Sequence, residues 1–121
     1  MAVYSYDVVV IGGGPAGLAA ALSAKRNQGG RVAIIERDFR LGGILEQCIH
    51  TGFGLKYFGE EMAGPQYAQK FIEQVKKLEI DVYLNTMVLQ IKHNPISVYA
   101  VSKNYGNCTF ETKSLVLSMG C

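Results

Sequence analysis

Residues 8–20 read VVVIGGGPAGLAA, three glycines set between a β-branched run and an alanine-rich stretch. The run DVVVI (7–11) is too short for a helix and apolar on both faces, which predicts a central strand of a parallel sheet. Pro15 suits the first turn of a helix, and Ala16 to Arg26 is rich in alanine and leucine until Asn27 and the Gly29-Gly30 pair stop it. VAIIE (32–36) then reads as a second buried strand. Strand, glycine turn, helix and strand within about thirty residues make one βαβ unit with a right-handed crossover, which places the chain in the α/β class.

Gly12, Gly14 and Gly17 form G-x-G-x-x-G where the predicted strand meets the predicted helix, the context in which that pattern is informative. Gly12 permits a tight turn, Gly14 has no Cβ to obstruct a pyrophosphate, and Gly17 lets the helix lie close to the strand. Free N–H groups at the helix start face the anion. Glu36 ends the second strand nineteen residues after Gly17, where its carboxylate can accept hydrogen bonds from both hydroxyls of an adenosine ribose and repel a 2′-phosphate. The expected ligand is a dinucleotide, and the fingerprint alone serves FAD and NAD equally. A ligand-free glycine turn with an exposed strand-end glutamate is the competing reading, and the order and spacing of the residues weigh against it.

Composition narrows the partner further. A chain of 121 residues, 49% hydrophobic and 18% charged, can bury one core of ordinary size but not two. Its net charge of +2 contains no long run of one sign, which points away from nucleic acid and anionic membranes and toward a small molecule. Cys48, Cys108 and Cys121 are odd in number and lack metal-ligand spacing, so neither a metal site nor a disulfide scaffold is expected, and a reducing, cytoplasmic setting is. The apolar N-terminal run is interrupted by Asp7 and by glycines and has no basic leader, so it reads as neither signal peptide nor membrane span.

From Arg37 to Gly64 the periodicity is lost while glycines, aromatics and His50 accumulate, as in a functional loop. Pro65 opens a second helix with Tyr67, Phe71, Val75 and Leu78 along one face. DVYLN (81–85), MVLQI (87–91), ISVYAVS (96–102) and CTFET (108–112) follow as strands of an expected β meander, with Asn94-Pro95 and Tyr105-Gly106-Asn107 as turn signals. SLVLSMGC closes the sequence as a further apolar strand.

The stretches DVVVIGGGPAGLAAALSAKR, VAIIERD, LGGIL and SLVLSMG, spread over the whole chain, resemble the two-dinucleotide-binding-domain flavoproteins, the pyridine nucleotide-disulfide oxidoreductase superfamily. The resemblance implies a Rossmann-like FAD/NAD(P)-binding domain, a parallel sheet with a β-meander insertion, and it implies FAD. In that family a Gly-Gly pair after the acidic residue lies along the FAD, and a hydrophobic strand ending in Ala-Thr-Gly or a relative closes over the cofactor. Gly42-Gly43 and Ser118-Met119-Gly120 stand at those positions, with Ser-Met in place of Ala-Thr. The implied cofactor contacts begin with Gly12, Gly13, Gly14, Pro15, Ala16 and Gly17. They continue with Glu36, Arg37, Gly42, Gly43 and Ile44, and then with Val88, Ser118, Met119 and Gly120. More narrowly, LGGILEQCIHTGFGLKYFGEEMAGPQYA resembles the FAD-dependent oxidoreductases found with bacterial glycerol-phosphate genes and the flavin subunits of opine oxidases and cyanide synthases.

One departure restricts the chemistry. In the family's disulfide reductases a redox Cys-x4-Cys follows the Gly-Gly pair, but Leu45 and His50 occupy those positions and Cys48 falls between them. Without a proximal second thiol there is no internal dithiol relay. His50 is the one candidate acid, base or donor beside the flavin, against an alternative role in loop packing. Cys48, Tyr57, Phe58 and Tyr67 read as packing residues.

Family members continue past the SMG strand into an NAD-binding domain and a final strand ending in Gly-Asp. Residues 1–121 are therefore expected to be the N-terminal portion of an FAD domain, binding FAD weakly or not at all and inactive alone in NADH-dependent dye reduction, with NAD(P)H bound elsewhere. Residues 114–119 are expected to form an uncovered sheet edge that joins two copies. A nucleotide-binding module that works only by assembly is the alternative. An NAD-dependent Rossmann enzyme fits less well with the meander and LGGIL.

Overall fold

The computed structural model describes residues 1–43 and 64–119, and of residues 64, 65 and 67 the backbone alone. Ile44, Cys48, His50, Tyr57, Phe58 and Gly120 lie outside the described residues, as does the side chain of Tyr67. The elements are β1 (Ala2–Ile11), α1 (Pro15–Gln28), β2 (Val32–Ile35), α2 (Gly64–Lys77), β3 (Asp81–Tyr83), β4 (Thr86–Lys92), β5 (Ile96–Ser102) and β6 (Gly106–Leu117). They build one six-stranded sheet in the order β3-β2-β1-β6-β5-β4. The strands from β3 to β6 in that order run parallel, and β6, β5 and β4 continue antiparallel as the meander.

The apolar runs of β1 and β2 exist because both faces of these strands are buried. Val8, Val10, Val32 and Ile34 point to one face, where Leu18, Ala21 and Leu22 of α1 and Phe71 and Val75 of α2 complete a core. Val9, Ile11, Ala33 and Ile35 point to the other, against Tyr83 and the meander residues Val98, Ala100, Cys108 and Phe110. The α1 helix stops as its glycines predict. Gly29 adopts φ 68°, a left-handed conformation that a side chain would resist, and returns its N–H to Lys25 O at 3.1 Å.

Three expectations need correction. DVYLN does not belong to the meander: Asp81, Val82 and Tyr83 pair in parallel with Ala33, Ile34 and Ile35. The α2 helix thus carries the chain to a third parallel strand, and its tertiary partner, not its local pattern, decides where this segment goes. CTFET and SLVLSMG are not two strands but the two halves of β6. The polar Thr112-Lys113-Ser114 lies where the two runs meet, and β1 pairs across it, from Ala2↔Cys108 to Ile11↔Leu117. The first strand begins at Ala2, not at Asp7. In AVYSY the period is two, with Tyr4 and Tyr6 turned to the meander core and Val3 and Ser5 outward.

That early half of β1 carries a polar cluster at the sheet end remote from the glycine turn. Tyr6 OH donates to Asp81 Oδ2 at 2.7 Å and therefore accepts from Tyr83 OH, 2.5 Å away. The Arg31 guanidinium lies 4.6 Å over the Tyr6 ring and 3.9 Å from Asp81. Burial first, then the bonds to Tyr83 and Asp81, hold the Tyr6 phenol far above its ordinary range, and burial likewise raises Tyr83. Both phenols stay neutral in the folded chain. The stability they carry is complete below the unfolded value of about 10 and is lost progressively as pH rises from there toward the raised folded values. Tyr6→Phe is expected to cost about 1–2 kcal/mol near neutral pH. It should also flatten the decline in stability above about pH 10, measured by urea unfolding at a series of pH values.

Candidate dinucleotide-binding site

The glycine turn is held from below before any ligand is considered. Gly12 donates its N–H to Ile35 O at 2.8 Å, which ties the turn to the end of β2. Its φ of 107° and the carbonyl of Ser118, only 2.4 Å from where a Cβ would stand, exclude any side chain. Gly17 is more constrained still, since its Cβ would fall 1.8 Å from Gly12 O. Gly14 differs: a Cβ there would meet nothing within 4 Å. This is open space over a backbone that caps α1 without a side-chain bond, at a helix start with no acidic residue in its first turn. The arrangement fits the approach of an anionic group to the helix start.

Glu36 is fixed by its main chain, with N–H to Tyr83 O at 2.8 Å and O accepting from Thr86 N–H at 3.0 Å. Its carboxylate then reaches back to the turn. Oε1 accepts the Gly13 N–H at 2.8 Å and Oε2 accepts the Asp38 N–H at 2.7 Å. Each oxygen keeps a second lone-pair direction, which suits a pair of vicinal hydroxyls. Gly42 and Gly43 lie against the same turn with φ of 109° and 56°. Gly42 donates its N–H to Gly13 O at 2.8 Å, and a Cβ on Gly43 would stand 3.2 Å from Gly14 Cα. Ser118 closes the group, its N–H on Ile11 O at 2.9 Å and its hydroxyl 3.0 Å from Ile11 O and 3.2 Å from Gly12 O.

The structure therefore brings together Gly12, Gly13, Gly14, Gly17, Glu36, Gly42, Gly43 and Ser118. Pro15 and Ala16 form the first turn of α1 beside them. Arg37 and Met119 are exposed at the margin, next in sequence to Glu36 and Ser118. Val88 lies on β4, two residues past the Thr86 whose N–H bonds Glu36 O, and packs partly buried against the meander core. Two contributors escaped the sequence reading. Leu41 is buried against Gly13, whose Cβ would come within 2.5 Å of Leu41 Cδ2, and Asp38 supplies the second donor to Glu36. LGGIL drew attention to its glycines, not to the leucine in front of them. A backbone donor such as Asp38 N–H leaves no mark on residue type.

A glycine turn between strand and helix, a carboxylate at the end of the next parallel strand and a sheet covered on both faces define a Rossmann-like dinucleotide-binding domain. The comparisons with known proteins agree. The profile of the family described as pyridine nucleotide-disulphide oxidoreductase matches residues 6–121, and the chain belongs to that family. It is 42% identical over 78 residues to the thioredoxin reductase of Ureaplasma parvum, covering 64% of this chain and 24% of that protein. It is 45% identical over 74 residues to the putative FAD-dependent oxidoreductase LodB of Marinomonas mediterranea, covering 54% of this chain and 20% of the relative. Among solved structures, L-proline dehydrogenase from P. horikoshii superposes with a TM-score of 0.82 at 26% identity, over 98% of this chain and 23% of the other. The chain thus spans about a quarter or less of the length of these proteins.

The two kinds of glycine are separable by experiment. Gly17→Ala forces a methyl into a backbone carbonyl and is expected to cost the apo chain about 2–3 kcal/mol, read by thermal or urea unfolding. Gly14→Ala meets open space, so the apo unfolding midpoint should stay within the effect of an ordinary surface substitution, about 0.5 kcal/mol.

Proposed function

We propose that residues 1–121 form the FAD-binding portion of a flavin-dependent NAD(P)H oxidoreductase and hold the ADP half of FAD. The observation that carries this is the Glu36 carboxylate, tied to the Gly13 N–H at 2.8 Å beside the open approach over Gly14. Gly14 and the start of α1 would hold the pyrophosphate, Glu36 would accept the ribose hydroxyls, and Gly42-Gly43 would line the cofactor beyond them.

When bound, FAD supplies the redox chemistry, and this chain's residues bind and orient it. NAD(P)H is the reductant of the larger unit, bound outside residues 1–121. With Leu45 and His50 where a Cys-x4-Cys would stand, electrons do not leave through an internal dithiol, and His50 is the candidate proton donor or acceptor beside the flavin. No helix among the described residues is long and apolar enough to cross a membrane. Three cysteines, odd in number and without metal-ligand spacing, support a cytoplasmic setting.

Among the described residues, the end of β6 has a strand partner on one side only, which supports assembly. The last β5 partner is Ile96 on Thr112, whereas Ser114–Leu117 pair with β1 alone among the described residues. Leu117 and Met119 are exposed there, with no proline or charge to blunt pairing. A second copy of the chain can pair along this edge about a two-fold axis.

Two measurements test these readings. Glu36→Ala removes a charge-assisted acceptor and, compared in a chain extended to full length, should weaken FAD about ten- to a hundredfold, read by flavin fluorescence titration. Unchanged affinity would reduce Glu36 to a strand-end residue. Light scattering over a concentration series should show a dimer that Leu117→Lys shifts toward monomer; a monomer at the highest concentrations would sink the edge-pairing proposal.

A further inference from the structure

Ser118 stands where the sequence departs from the resembling family, and the structure gives its hydroxyl a specific position. The hydroxyl lies 3.0 Å from Ile11 O and 3.2 Å from Gly12 O, so its single proton is shared between two carbonyls. Ile11 O already accepts the Ser118 N–H at 2.9 Å. Gly12 O has no other donor among the described residues. The hydroxyl therefore matters most to the peptide unit joining Gly12 and Gly13. That unit's other polar end is the Gly13 N–H, which donates to Glu36 Oε1 at 2.8 Å.

A peptide plane is rigid, so fixing its carbonyl fixes the direction of its N–H. Without the hydroxyl, the Gly12 carbonyl loses its one donor among the described residues, and the glycines on either side of the plane add no side chain to resist its rotation. Hydrogen bonds in series also polarise one another: a donor on the carbonyl strengthens the N–H on the opposite side of the same peptide. We propose that Ser118 is a positioning residue for nucleotide recognition, its hydroxyl setting the Gly12–Gly13 peptide whose N–H aims the Glu36 carboxylate at the ribose. The inference rests on Glu36 as the ribose acceptor. It assigns Ser118 an action through the turn, not a contact with the cofactor.

Ser118→Ala removes one oxygen and leaves the backbone bond to Ile11 in place. In the ligand-free chain, amide hydrogen exchange followed by NMR should show the Gly13 N–H exchanging at least about threefold faster relative to Val9 in mid-β1. An unchanged ratio overturns the relay. Calorimetric titration with ADP should show about a three- to tenfold loss of affinity in Ser118→Ala. In a Glu36→Ala background the same substitution should change affinity less than about twofold, since its route of action is gone. Additive losses in a chain that binds ADP would make Ser118 a mere prop of the fold and overturn the inference alone. A wild-type chain that binds no ADP would overturn the proposed function and the role in recognition with it, whereas the exchange ratio would still report whether Ser118 holds the peptide.

Discussion

The closest contact that the fold must preserve is between Gly17 and the carbonyl of Gly12, where a single methyl group would stand 1.8 Å from an oxygen. It sets how near α1 can lie to the end of β1. That distance in turn decides whether Leu18, Ala21 and Leu22 reach Val8 and Val10 to form the helix-side core. With α1 seated, its first turn points at the space over Gly14, and the carboxylate of Glu36 meets the turn from β2. Packing and the proposed recognition thus share one geometric requirement, met by the absence of a side chain at two positions five residues apart.

The second requirement is lateral. β1 is the one strand that both the parallel sheet and the meander need, because β6 pairs along its whole length and carries β5 and β4 with it. Val9 and Ile11 consequently face Phe110, Val98 and Ala100, and the meander becomes a lid over the sheet face opposite the helices. Tyr83 joins this core from β3 and packs edge-on against Phe110 with ring centroids 4.8 Å apart. The aromatic contact links the far edge of the sheet to the meander across two intervening strands.

Much of this was legible in the residues themselves. The βαβ unit, its glycine turn and Glu36 announce their geometry through residue type, since only glycine survives at Gly12 and Gly17 and only a carboxylate serves as Glu36 does. Pairing partners were less legible. DVY is equally suited to a meander or a parallel edge strand, and only its neighbour Ala33–Ile35 decides. Thr112-Lys113-Ser114 mimics a turn, yet a strand paired along β1 tolerates polar residues where one side meets solvent. In the site, the unread elements were backbone groups and packing: Asp38 N–H, Gly42 N–H and the Leu41 side chain.

The pairing of β1 with β6 has a temporal meaning as well. The nucleotide turn lies near the start of the chain, but its lateral support, from Cys108 to Ser118, is synthesised about a hundred residues later, at the ribosome's pace of about 5–20 residues per second. Until that segment emerges, β1 exposes the flank meant for β6, and the Gly12 carbonyl lacks the hydroxyl that completes its surroundings. The recognition turn at Gly12–Gly17 therefore emerges about a hundred residues ahead of the segment that flanks it. The interval between the two, several seconds long, is when an unpaired β1 is open to capture by a chaperone or by a neighbouring nascent chain.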